Sequence, residues 1–225
     1  MRIQRRRDLA QEYLLCCIWR GEIRQDTYIC SVNRFEDIDY LKGGTASQQE
    51  VYDLLCQGRY LEQLQHYSVR LTGSFPIAVN IPGSDVDLVC SFSDGAGYVR
   101  HLEQSFGQMP EFRMRCTDKF GSEAWIASFK DGNLLLEIFG QALPVGRQLS
   151  YRHLLIEDRV LRKYGNEFRA AVISLKRRGA STEEAFCKLL GLPGNPYIAL
   201  LSLENNAALP PWLPSDTGDR PVHGK

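Results

Sequence analysis

Residues 71–91 read LTGSFPIAVNIPGSDVDLVCS, and two features of this stretch organise the rest of the chain. Asp85 and Asp87 stand one residue apart at the head of an apolar run, DVDLVCSF, and Gly73-Ser74 makes a turn whose serine precedes Ser84 by ten residues. Side chains alternate along a strand, so Asp85 and Asp87 point to one side while Val86 and Leu88 point to the other. With Cα atoms about 7 Å apart, the two carboxylates repel each other unless a cation lies between them. The expected cation is Mg²⁺, or Mn²⁺ in its place: a hard ion that takes one or two protein carboxylates and completes its shell with water and substrate phosphates.

Outward from there, a third acid, Glu137, lies within LLLEIFG, where an ionised group among apolar neighbours is costly without a partner. A neighbouring strand carrying Asp85 and Asp87 would supply that partner, leaving Glu137 to bind a second ion or to accept a proton from an acceptor group. Gly73 permits close approach of the backbone, and Ser74 offers N–H and hydroxyl donors to phosphate oxygens.

The surrounding pattern is α+β. Ser47 and Glu50 suggest a capping box opening a helix over QQEVYDLLCQ, and YLEQLQ gives a second short helix. HYSVRLT and DVDLVCSF read as strands, followed by a helix over GYVRHLEQSFG and three more strands, EFRMRCTD, AWIASFK and NLLLEIFG. Asp131-Gly132 marks a hairpin between the last two. From Gln148 the periodicity becomes helical, in YRHLLIEDRVLRKYG and EFRAAVISLKRRG, with Asn166 as cap of the second. Ser181 with Glu184 forms a further capping box, and Asn195-Pro196 opens a last short helix. The expected organisation is therefore a weakly packed extension over 1–36, a mixed five-stranded core over 37–145, a helical subdomain over 146–206 and a disordered tail over 207–225.

Lys+Arg and Asp+Glu each total 27, so no overall field draws the chain to nucleic acid or anionic lipid, and long nucleic acid is disfavoured as a partner. Seven cysteines, with no C-x-x-C pair, argue against a disulfide framework or zinc site and read as reduced core residues of a cytoplasmic protein. No apolar run reaches the length of a membrane span, and Asp8 and Glu12 interrupt the signal-like N-terminus.

Gly-Ser, then Ser-Asp-x-Asp ten residues on, then a later strand bearing an acid, resembles the polymerase-beta-type nucleotidyltransferase superfamily over residues 45–140. The segments IPGSDVDLVC, LEIFGQALPV, YRHLLIE and GLPGNPY also resemble a bacterial domain-of-unknown-function family, number 4269, over residues 36–203. The superfamily resemblance implies a nucleotidyltransferase-like fold in which Asp85, Asp87 and Glu137 bind metal and carry catalysis. It implies, too, that Gly73, Ser74 and Ser84 hold a nucleoside triphosphate, with NMP passing to an acceptor hydroxyl, a small molecule being favoured. One departure stands out: where many small members carry an arginine and a glycine after the Gly-Ser turn, this chain has FPIAVN. Arg70, Lys119 and Arg152 are the candidates to supply the missing charge, and a nucleotide-binding or protein-interaction module with weak turnover is the alternative. His153 fits a core stripe, and LKRRG at 175–179 fits a helix C-terminus complementing its dipole.

Overall fold

The computed structural model describes residues 33–118, 122–206 and 208–212. Lys119, Cys16, Cys17, Cys30 and most of the expected extension and tail lie outside them. Helix α1 (Ala46–Gln57) begins at Thr45, whose hydroxyl accepts from Gln48 N while the Gln48 side chain accepts from Thr45 N. The capping box is thus two residues earlier than the Ser47–Glu50 pair suggested. Gln48 explains the choice, because its amide nitrogen is also needed at Phe75 O, 2.8 Å away, and Pro76 O, 3.3 Å away. One side chain both caps the helix and fixes the loop after Gly73-Ser74.

Helix α2 (Tyr60–Gln63) leads to strand β1 (Arg70–Thr72), which is shorter than HYSVRLT because Gln65–Tyr67 coil into a 3₁₀ turn. Strand β2 (Val86–Ser91) follows, then helix α3 (Gly95–Phe106) and strands β3 (Arg113–Thr117), β4 (Ala124–Asp131) and β5 (Leu134–Gln141). They form one mixed sheet in the order β1-β2-β5-β4-β3, with β2 and β5 parallel and all other pairs antiparallel. The hairpin at Asp131-Gly132 is present, with Asp131 opposite Leu134.

Period-two alternation divides the sheet into two faces. Leu71, Val86, Leu88, Cys90, Ala127, Phe129, Leu136 and Ile138 pack with Val51 and Leu55 of α1 and Tyr98, Leu102 and Phe106 of α3. On the other face Val89 and Phe139 meet the C-terminal helices α4 (Leu149–Arg177), α5 (Thr182–Leu190) and α6 (Pro196–Leu201). Asp87 and Glu137 share the parity of Val89 and Phe139, so the acids lie beneath the helical subdomain.

Helix α4 is two helices in one, broken at Gly165, where φ is 73° and ψ is −156°. A straight helix would separate Glu157 from Lys176 by about 28 Å at 1.5 Å per residue. Instead the two interact electrostatically, because the chain reverses at Gly165 and lays its second half against its first. The sequence placed this break correctly. Phe35 packs in the same core, as does Leu209, while Trp212 stacks edge-on against Tyr164 and Phe168. Aromatic burial therefore holds down both ends of the described chain. The cysteines are mixed: Cys90 and Cys187 are buried, but Cys56 and Cys116 are exposed and free, which corrects the uniform core reading. Among the described residues, no helix is long and apolar enough to cross a membrane.

Candidate functional site

Strand register sets the acids. Asp87 on β2 stands directly opposite Glu137 on β5, flanked by Thr72 on β1 and Ser128 on β4, so the four side chains form one row across the sheet. Parallel neighbours opposite one another project to the same face. Asp85, just before β2, is half-buried. The resulting crowding is visible in the titration of the group. Burial, then Glu137, then Asp85 push the Asp87 carboxyl up to about 8, with Glu183 adding to the push and Lys176 opposing it. Burial also raises Glu137, Arg115 opposing and Asp85 reinforcing, and burial raises Asp85.

Gly73 sits against this row with φ of 74°. A Cβ on Gly73 would collide with the Asp87 carboxylate, its nearest approach being to Oδ2 and 2.9 Å to Cγ. Glycine is required twice over, by backbone geometry and by space. Ser74 is buried, and its carbonyl accepts from Val79 N at 3.0 Å. The loop that replaces the expected arginine is closed by apolar packing: Phe75, Ile77 and Val79 are all buried, and Ala78 takes the left-handed conformation at their centre.

The remaining expected residues fall in different places. The Ser84 hydroxyl accepts from Ile81 N at 2.9 Å, so it shapes the turn that leads into Asp85. Arg70 lies on the acid-bearing face of β1, its guanidinium donating to Val69 O at 2.8 Å. Arg152 forms a two-point ion pair with Glu204 at 2.9 and 2.5 Å that fastens α4 to the segment after α6. His153 is a satisfied buried histidine, with one ring nitrogen 2.9 Å from Tyr197 O and the other 3.6 Å from Glu183.

Two cations near the acids were missed. Arg115, on edge strand β3, lies 4.0 Å from Glu137. Lys176 is only 8% exposed and faces Glu157, Glu183 and Asp87, so it is no solvated helix end. Burial lowers Lys176, and those three carboxylates pull it back up. Burial drives Glu157 well above the carboxylate range, with Glu183 reinforcing and Lys176 opposing. Burial acts to raise Glu183 as well, but hydrogen bonds from His153 and its own backbone outweigh it and hold the group low. A signal for Lys176 existed, since Phe168, Val172 and Lys176 recur every fourth residue on the buried stripe of α4.

The donor set suits a hard divalent ion: carboxylates raised by burial and, at Asp87, by their neighbours' charge, beside a glycine that leaves the Asp87 carboxylate room. Among the described residues, no three His, Cys, Asp or Glu side chains are already gathered into a metal cage, so the carboxylates would have to close around an ion.

The fold defines an α+β protein whose acids sit on a mixed sheet beneath a helical cap. The profile of the domain of unknown function DUF4269 matches residues 53–203, and the chain belongs to that family. No curated protein matches it. Among solved structures it is similar to the Cid1 poly(U) polymerase bound to MgATP, with 12% identity, 84% of this chain and 54% of that one covered, and a TM-score of 0.45. It is similar also to the polymerase core of TRAMP, an RNA surveillance complex, at 12% identity, 73% and 52% coverage and a TM-score of 0.43. The GLD-2/RNP-8 complex aligns at 10% identity, 74% and 63% coverage and a TM-score of 0.43. The chain spans about half the length of the structures it matches first.

Proposed function

We propose that the protein is a metal-dependent nucleotidyltransferase that moves NMP from a nucleoside triphosphate to an acceptor hydroxyl, releasing pyrophosphate. The observation that carries this reading is the register of Asp87 against Glu137, with Asp85 within electrostatic reach of both and Gly73 packed on the Asp87 carboxylate. Mg²⁺, when bound, would supply the positive charge that phosphoryl transfer requires between attacking and leaving oxygens. Asp85 and Asp87 would hold that ion. Glu137, whose carboxyl is raised by burial, is suited to take the proton of the acceptor hydroxyl. Gly73 and Ser74 would orient the phosphates, and Arg115 and Lys176 supply the positive charge that FPIAVN lacks.

The second reading is a nucleotide-binding module with little turnover, favoured by the apolar closure of the loop at Phe75, Ile77 and Val79. Pyrophosphate release separates the two. The full chain with Mg²⁺, each common NTP and a panel of hydroxyl acceptors should release pyrophosphate, and Asp87→Asn should reduce the rate at least a hundredfold. Mg²⁺-dependent NTP binding without release, over the whole panel, would leave the module; neither binding nor release would remove both.

A further inference from the structure

A second charged cluster lies outside the acid row. Asp158, buried on the first half of α4, receives the Arg34 guanidinium at 2.6 Å on one oxygen and the Arg162 guanidinium at 2.7 Å on the other. Arg169, from beyond the reversal at Gly165, adds a third guanidinium within electrostatic reach of both Asp158 and Arg34. It also donates to Ile77 O, in the loop that follows Gly73-Ser74.

Three positive charges thus converge on one negative charge. A carboxylate has about four acceptor sites, whereas three guanidiniums carry about fifteen N–H donors. Arg34 and Arg162 keep 39% and 46% of their side-chain surface open to solvent, while the Asp158 side chain keeps 4%. Arg34 is held in place by the faces of Phe35 and Tyr40, 5.2 and 5.4 Å from the ring centres. Asp37, which acts on Tyr40, is exposed. Crowding is felt within the cluster: burial, and after it Arg34, draw Arg169 below the ordinary arginine value.

We propose that Arg34, Arg162 and Arg169 form an oxyanion site for the phosphate group of a small phosphorylated molecule, with Asp158 as the buried post that holds the guanidiniums apart. Planar guanidiniums bind phosphate oxygens in pairs, which suits this class of ligand above a simple halide. The site is independent of the acid row, and its link to the Ile77 loop runs through Arg169.

The test is calorimetric titration of the full chain with ribose 5-phosphate and, separately, inorganic phosphate, in low-salt buffer freed of divalent metal. Without metal, binding at the acid row does not contribute, so failure here and failure of the transferase reading stay distinct. One saturable site is expected, weakened roughly tenfold or more by Arg34→Gln and by Arg162→Gln, with both variants keeping the wild-type circular dichroism spectrum. Arg34→Lys, which keeps the charge but loses the fork, should fall between. Tighter binding of ribose 5-phosphate would identify a phosphorylated metabolite as the source, and equal binding the free ion. Absence of saturable binding by either probe, binding unchanged in the arginine variants, or binding only of a single-stranded oligonucleotide would overturn the proposal.

Discussion

The backbone of Gly73 lies directly against the carboxylate of Asp87, so closely that any side chain at position 73 would displace it. Gly73→Ala therefore meets both a left-handed φ of 74° and a steric clash. A loss of about 1–3 kcal/mol in urea denaturation is expected, together with loss of divalent-ion binding. Gly83→Ala is the control: it shares a positive φ, but a Cβ there meets nothing within 4 Å. It should cost stability and leave ion binding intact.

Lys176 neutralises a pocket that otherwise holds Glu157, Glu183 and Asp87. Lys176→Met should destabilise the protein by about 3 kcal/mol, the cost of leaving buried carboxylates without their cation. Adding Glu157→Gln should recover part of that loss, since one charge no longer needs the lysine. A double-mutant cycle in urea measures the coupling, and strictly additive losses would show that the pair does not interact.

Asp87 carries a pH signature. Its folded-state value, about 8, lies above the unfolded value of 3.8. The folded chain therefore binds the extra proton between these limits, and stability falls as pH rises through that window. In metal-free buffer Asp87→Asn, which resembles the protonated acid, should melt several degrees above wild type at pH 8, at about 2–4 °C per kcal/mol. The advantage should shrink steadily as pH falls toward 4. A constant difference across the range would contradict the assignment.

Arg152 is held by Glu204 at 2.9 and 2.5 Å. Arg152→Ala should cost about 1–3 kcal/mol of stability through loss of charged hydrogen bonds. NTP affinity, measured well below the melting temperature, should change less than twofold.

How far the sequence could be read depended on whether a feature was local. The strand alternation of DVDLVCSF, the Asp131-Gly132 hairpin, the break at Gly165 and the Ser181–Glu184 cap are decided within a few residues, and the structure has each of them. Glu137 beside Asp87 required only that two strands pair, which its buried charge demanded. What failed was set by distant contacts. Gln48 chose the helix cap because it also reaches Phe75. Lys176 read as part of a helix C-terminus complementing its dipole because the carboxylates it faces, Glu157, Glu183 and Asp87, lie across the reversal or on other elements.

The most direct test of the account is titration of the full chain with Mg²⁺ and a non-hydrolysable ATP analogue at pH 7, by calorimetry in two buffers of different ionisation enthalpy. If Asp85 and Asp87 hold the ion, binding should release roughly one proton, because the Asp87 carboxyl must ionise to bind. Asp87→Asn and Asp85→Asn should each weaken binding at least tenfold. Divalent-ion affinity unaltered in both variants, with no proton released in wild type, would contradict it.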